Sequence, residues 1–99
     1  MIIIDKPLLR QFRRRQTCEW CKRRCPDGCD PHHIFGRGMG GGRRLDIRIN
    51  LIALCRQCHN DVHNGRLLRC DLLAIVARRE RVLQHEIEAE IHRLRRTRT

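Results

Sequence analysis

The stretch that decides the fold runs from Asp30 to Gly65 and reads DPHHIFGRGMGGGRRLDIRINLIALCRQCHNDVHNG. It holds an adjacent histidine pair, a central asparagine, two cysteines and two further histidines. In chain order these are His32, His33, Asn50, Cys55, Cys58, His59 and His63. His59 and His63 stand four residues apart, which places both on one face of a helix. Thiols and imidazoles at this density indicate one structural and one catalytic metal site.

Local patterns give this stretch the order strand, loop, strand, helix, and the fold class is predicted to be α+β. His32 to Phe35 is predicted to be extended, because a proline precedes it. Gly36 to Gly42 has too many glycines for a regular element and predicts a loop. Leu45 to Ile49 alternates apolar and charged residues, which predicts a half-buried strand. A helix is expected from about Arg56 to Asn64, where a glycine ends it.

A second cysteine pair of the form C-x2-C lies upstream, at Cys18 and Cys21. Each such pair presents two thiolates to one ion, and tetrahedral zinc needs four ligands. The predicted structural zinc ligands are therefore Cys18, Cys21, Cys55 and Cys58. Cys25 and Cys29 leave alternatives open, since either can replace a member of this set or remain a free thiol.

The charge of the 99-residue chain indicates a polyanionic partner. Lys and Arg number 22 against 11 Asp and Glu, a formal net charge of +11, and nucleic acid is the first candidate. The basic residues are clustered, as in Arg13 to Arg15 and Arg93 to Arg98, which favours a phosphate-contacting surface over a merely basic soluble protein. Aromatic residues make up 3% of the chain, so a metal or an oligomer interface is expected to add stability.

Seven cysteines could also indicate a secreted disulfide scaffold. Their number is odd, four of them form C-x2-C pairs, and no charged segment followed by an apolar run opens the chain. We therefore predict a reducing, cytoplasmic compartment. No apolar run approaches the ~20 residues of a membrane span, so no membrane partner is expected.

The whole chain, residues 1–99, is predicted to be one domain, with a zinc-stapled core at residues 16–65 and a helix on either side. Asp5 is expected to cap a helix that ends near Gln16. From residue 71 to 97, apolar residues recur at three- and four-residue steps, which predicts one long C-terminal helix. Its outer turns are expected to pair with a second copy in a homodimer. The alternative is a solvated, fraying end.

The segment from Cys18 to His63 resembles the HNH endonuclease family. The matching segments are CEWC, HHIFGR and NLIALCRQCHNDVH, which together span about half the chain. Many members have Asp-His where this chain has His32-His33; the His-His variant occurs in colicin-type nucleases. The resemblance implies a small ββα-metal core, also called a His-Me finger, stapled by zinc.

The resemblance also implies roles for single residues. His33 looks like the general base that takes a proton from water. His32 and His59 look like metal ligands, and His63 looks like a third ligand or a phosphate contact. Asn50 looks like the residue whose amide braces the loop and orients the base. A neutral imidazole can indeed accept a proton at neutral pH, which suits this chemistry.

The predicted function is therefore metal-dependent hydrolysis of DNA phosphodiester bonds, which leaves 3′-hydroxyl and 5′-phosphate ends as the family implies. The catalytic divalent ion is expected to be Mn²⁺, Ni²⁺ or Zn²⁺, which imidazole ligands suit, or Mg²⁺ through its availability. Arg37, in the glycine-rich loop, is a candidate phosphate contact. One centre per chain nicks, whereas a homodimer could cut both strands. The alternatives are a zinc-stapled nucleic-acid-binding module without catalysis and a redox sensor that uses Cys25, Cys29 and Cys70.

Overall fold

The computed structural model describes residues 1–36 and 44–96, which form four helices and a two-stranded antiparallel sheet. The elements are α1 (Lys6–Arg13), β1 (Asp30–His33), β2 (Leu51–Leu54), α2 (Arg56–His63), α3 (Arg69–Glu80) and α4 (Gln84–Arg96). The predicted α+β class is thereby confirmed. Among the described residues, no helix has the length and apolarity needed to cross a membrane.

β2 forms the centre of the protein, and all four of its residues are buried. Successive side chains of a strand point to opposite faces. Leu51 and Ala53 pack on one side with Phe12 of α1, whereas Ile52 and Leu54 join the main core that α3 and α4 cover on the other side. A short, continuous apolar run is typical of a strand that is covered on both faces.

β1 runs antiparallel to β2, with Asp30 opposite Leu54 and His33 opposite Leu51. This pairing corrects two predictions. The first strand is Asp30–His33 rather than His32 to Phe35, because the chain turns away after His33 toward the Asn50 side chain.

The predicted second strand, Leu45 to Ile49, is wrong. Leu45 makes only an isolated parallel bridge to Ile3, and Arg48–Asn50 form a 3₁₀ turn that leads into β2. The fully apolar run after this turn pairs with β1 instead, because it can be buried on both faces. The predicted helix near Arg56 to Asn64 is confirmed as α2.

α1 begins as predicted, with the Asp5 carboxylate accepting a hydrogen bond from the Leu8 N–H at 3.0 Å. Its end at Arg13 is earlier than the expected end near Gln16. Phe12 is the buried residue of this helix and anchors it against β2.

The predicted single helix over residues 71–97 is wrong, because the chain reverses between α3 and α4. Arg81 adopts a left-handed conformation, with φ 59° and ψ 44°, and ends α3. A left-handed non-glycine residue costs about 1–2 kcal/mol. The reversal buries Ile87, Ile91 and Leu94 in the main core, and each large aliphatic side chain gains about 1.5–3 kcal/mol on burial, so the turn is favourable.

This reversal also removes the reason given for a homodimer. The apolar residues of α4 that were expected to need a second copy find their partners within the same chain. The homodimer itself stays a prediction.

Candidate functional site

The segment from β1 to α2 carries all of the candidate histidines and two of the four candidate cysteines. β1 carries His32 and His33, and α2 carries Cys58, His59 and His63. Cys55 lies between β2 and α2 and caps the helix: its sulfur accepts the Cys58 N–H at 3.4 Å.

The structure brings together the four cysteines of the predicted set. The sulfur atoms of Cys18, Cys21, Cys55 and Cys58 all lie within 4.8 Å of one another. Those of Cys21 and Cys55 are 3.7 Å apart. Four thiolates placed tetrahedrally at zinc–sulfur distances of about 2.3 Å would be about 3.8 Å apart, so the cluster can hold a metal ion such as zinc.

The loop that carries Cys18 and Cys21 is fastened to β2. The Glu19 N–H donates to the Ala53 carbonyl at 2.9 Å, and the Glu19 carboxylate accepts the Ala53 N–H at 2.7 Å. Arg79 of α3 donates to the same carboxylate at 2.8 Å. These contacts fix the first cysteine pair beside the second before any ion binds. Sequence patterns did not reveal this buried ion pair, because its members are far apart in the chain.

The thiols differ in how readily they lose a proton. Burial would raise the pKa of Cys18, but backbone N–H groups directed at its sulfur, that of Cys55 first among them, outweigh burial and lower the pKa to about 7. Burial raises the pKa of Cys58 well above its usual range. Cys18 is therefore the thiol best prepared to bind a cation as the thiolate.

The remaining cysteines lie outside this cluster. Cys29 is buried beside Cys25, and burial is the main reason that its pKa is raised to about 12. Cys70, near the start of α3, is exposed. The alternative in which Cys25 or Cys29 replaces a member of the four is thus not the arrangement found.

Three of the predicted catalytic-metal ligands lie side by side. The His59 and His63 ring centroids are 4.8 Å apart, and their Nε2 atoms are 3.2 Å apart. His32 on β1 faces both rings, at centroid distances of 5.2 Å from His59 and 6.3 Å from His63. Burial, and then the neighbouring imidazoles, lower the pKa of His32 to about 4. His32 is therefore neutral at pH 7, with a lone pair available to a cation.

His59 has an acidic partner that the sequence did not indicate. Its Nδ1 lies 3.0 Å from the Asp30 carboxylate, which Arg56 also approaches at 3.4 Å. A carboxylate accepts hydrogen bonds, so Nδ1 is the donor in this pair, and Nε2 faces His63. Metal-binding histidines usually have such a partner on their second nitrogen.

His33 has a stronger acidic partner in Asp46. Its Nε2 lies 2.7 Å from the Asp46 carboxylate, whose side chain is fully buried. Arg44 contacts both carboxylate oxygens at 2.8–3.1 Å, and the Asp5 N–H donates to one of them at 2.9 Å. Burial alone would raise the pKa of Asp46, but the Arg44 and His33 hydrogen bonds outweigh it and lower the pKa to about 2. The ionised carboxylate therefore accepts a hydrogen bond from Nε2, and Nδ1 is the ring nitrogen of His33 that lies outside this pair.

Asn50 is fully buried and joins the two sides of the glycine-rich segment. Its side-chain oxygen accepts the Phe35 N–H at 2.8 Å. Its amide group donates to the Phe35 carbonyl at 3.1 Å and to the Leu45 carbonyl at 2.9 Å. Its observed partners are backbone groups of the flanking residues, which suits the predicted bracing of the loop.

A cleft of about 330 Å³ opens beside these histidines and is lined by His32, His33, Gly36 and Arg69 among others. Arg37, the candidate phosphate contact, lies outside the described residues. Arg69, at the start of α3, is a positively charged residue of the cleft that the sequence did not single out.

Comparison with known proteins finds no matching family model, no matching curated protein and no matching solved structure. The resemblance to HNH endonucleases accordingly stays a prediction from the sequence.

Proposed function

We propose that the protein is a metal-dependent endonuclease of the HNH type that hydrolyses phosphodiester bonds of DNA. The observation that carries this proposal is the His33–Asp46 pair, 2.7 Å apart, in a cleft that His33 and His32 line, with His32 facing His59 and His63. A base held by a buried carboxylate beside a group of imidazoles has few purely structural uses. We also propose that β1, β2 and α2 form the ββα-metal core that the sequence predicts.

The histidines have the donor chemistry that a catalytic divalent ion needs. Ligand nitrogens at about 2.05 Å from a tetrahedral metal lie about 3.3 Å apart, and the two Nε2 atoms of His59 and His63 are already 3.2 Å apart. His32 on β1, with its ring centroid 5.2 Å from that of His59, would have to move closer to this pair to complete the set. When bound, such an ion would stabilise the charge that develops on the phosphate and on the departing 3′-oxygen.

The protein's own groups then perform the proton transfer. Nδ1 of His33 accepts a proton from the attacking water as the new phosphorus–oxygen bond forms. Asp46 keeps the proton on Nε2 beforehand and stabilises the imidazolium afterwards, so Asp46 is a positioning residue. Because the described residues form one such cleft, a single chain nicks, and cutting both strands requires a second copy.

We further propose that the four-cysteine cluster holds a structural zinc ion. The cluster joins the loop after α1 to the start of α2. The loop leads into β1, which carries His32 and His33, and α2 carries His59 and His63. A zinc ion there would fix the position of α2 and hence of His59 and His63.

Plasmid relaxation tests the proposed activity. Supercoiled DNA is incubated with zinc-loaded protein and added Mg²⁺, Mn²⁺, Ni²⁺ or Zn²⁺, beside His33→Ala and Gln57→Ala. Gln57 is exposed on α2 and lies about 200° around the helix from His59, so its variant serves as the control for contaminating nucleases. Open-circular product from wild type and Gln57→Ala, but not from His33→Ala, is expected.

The same assay distinguishes the proposed nuclease from the main alternative. A protein that binds the plasmid but cleaves it with none of these metals would be a zinc-stapled nucleic-acid-binding module. Activity that is equal in His33→Ala and wild type would remove His33 from the proposed role.

A further inference from the structure

A second groove adjoins the histidine cleft and is not used by the proposed chemistry. Its volume is about 490 Å³, and it lies between Phe35, the start of α3 and one face of α4. Arg69 lines both the groove and the histidine cleft, so the two are adjacent at this residue. A polymeric ligand bound in the cleft would reach this groove next.

Two arginines in the groove are held in place by one aromatic ring. The guanidinium carbons of Arg69 and Arg95 lie 4.5 Å and 5.4 Å from the centre of the buried Phe35 ring. Arg95 also donates to the Gly36 carbonyl at 2.9 Å. A stacked guanidinium loses less freedom when it binds an anion.

The charge of the groove indicates an anionic ligand. Among the described residues, the groove lining holds one carboxylate, that of Glu88, against two guanidinium groups and two imidazoles. The guanidinium groups are those of Arg69 and Arg95, and the imidazoles are those of His85 and His92. The guanidinium group is a donor and a cation at once, which suits it to the oxygens of a phosphate. Successive phosphates of a nucleic-acid strand would supply such groups along a path that starts in the cleft.

We propose that the groove between Phe35 and α4 binds the DNA backbone beyond the phosphate in the histidine cleft, through Arg69 and Arg95. The position of that neighbouring phosphate rests on the proposed endonuclease function. The binding surface itself does not, since it follows from the stacked arginines and from their place beside the cleft.

The salt dependence of DNA binding tests this surface. Binding of a fluorescent 30-base-pair duplex is measured at several salt concentrations, with all proteins carrying His33→Ala so that the duplex stays intact. Each lost phosphate contact lowers the slope of log Kd against log salt by about 1. Arg69→Gln and Arg95→Gln are each expected to show this decrease.

Arg78→Gln is the matched control. Arg78 is exposed on α3, lies nine residues after Arg69 and therefore about 180° around the helix, and lines a different cavity. Arg78→Gln removes the same charge as the other two variants, but outside the groove. Its slope is therefore expected to equal that of the parent protein within error. Arg69→Lys and Arg95→Lys keep the charge and are expected to restore most of the slope, which separates phosphate contact from a folding defect.

Equal slopes for Arg69→Gln, Arg95→Gln and Arg78→Gln would overturn the inference, even if the wild type cleaves DNA. A slope decrease confined to Arg69→Gln and Arg95→Gln would support it, even if the wild type cleaves nothing. The two proposals can therefore fail independently.

Discussion

Replacing Asp46 by Asn tests the pairing at the centre of the candidate site. All the groups around the carboxylate are donors: the His33 ring, the Arg44 guanidinium and the Asp5 N–H. An amide NH₂ placed among them finds an acceptor only if the His33 proton moves from Nε2 to Nδ1, and the paired charge is lost. The shift of the Asp46 pKa from 3.8 to about 2 corresponds to about 2 kcal/mol, at 1.36 kcal/mol per pKa unit.

The pH dependence of this loss has a definite sign. The pKa of Asp46 is lower in the folded than in the unfolded protein, so its stabilisation is complete above pH 4 and disappears as pH falls from about 4 to about 2. Urea unfolding of Asp46→Asn against wild type is therefore expected to show a constant difference of about 2 kcal/mol between pH 5 and pH 7. Asp27→Asn, at an exposed carboxylate, is the control and is expected to change stability by less than about 0.5 kcal/mol.

Asp46→Asn is also expected to affect the proposed reaction through His33. If Asp46 holds the Nε2 proton, the variant lowers kcat by about 10²-fold or more while KM changes little. The ¹⁵N chemical shifts of His33 are expected to report a change of tautomer, which a purely structural defect would not produce. Unchanged stability together with an unchanged His33 tautomer would refute the reasoning.

Three further predictions concern the fold and the thiol cluster. Ile91→Ala is expected to lower the free energy of unfolding in urea by about 2–5 kcal/mol, since Ile91 is 1% exposed. Leu83→Ala, at a residue 59% exposed, is expected to change it by less than about 0.5 kcal/mol. Similar losses in the two variants would contradict the folding back of α4. Arg81→Gly is expected to raise stability by about 0.5 kcal/mol, because glycine adopts φ 59° without the steric cost; a lower melting temperature would count against the left-handed turn. Elemental analysis is expected to find less than one zinc ion per chain in Cys58→Ser and an unchanged zinc content in Cys25→Ser. Equal losses of zinc in the two variants would place Cys25 among the ligands.

The sequence predicted the local parts of the site well, because they depend on short spacings. Two C-x2-C pairs can meet at one ion only in a few ways, and the structure brings Cys18, Cys21, Cys55 and Cys58 together. The four-residue step from His59 to His63 likewise needs nothing beyond helix geometry.

The acidic partners could not be predicted in this way. Asp46 stands in an alternating segment whose charged residues are expected to face solvent, yet it is buried because Arg44 and His33 satisfy its oxygens. Asp30 and His59 are separated by 29 residues, and only the pairing of β1 with β2 brings them together. Spacing carries no information about such long-range contacts.

The helix break at Arg81 could not be predicted from the sequence for a different reason. Three- and four-residue steps occur both before and after the turn, and neither glycine nor proline marks it. Periodicity identifies an apolar face, but it does not tell one long helix from two that pack on the same core. The energy that decides between them is the burial of Ile87, Ile91 and Leu94.

The proposed function depends most directly on the rate of the chemical step with and without His33. We would measure single-turnover cleavage of a labelled duplex at saturating protein, with zinc-loaded wild type and His33→Ala and the metal that supports plasmid nicking. A loss of about 10²-fold or more in the rate, with unchanged Kd for the duplex, is the predicted result. Equal rates for the two proteins at equal zinc content would contradict the assignment of His33 as the general base.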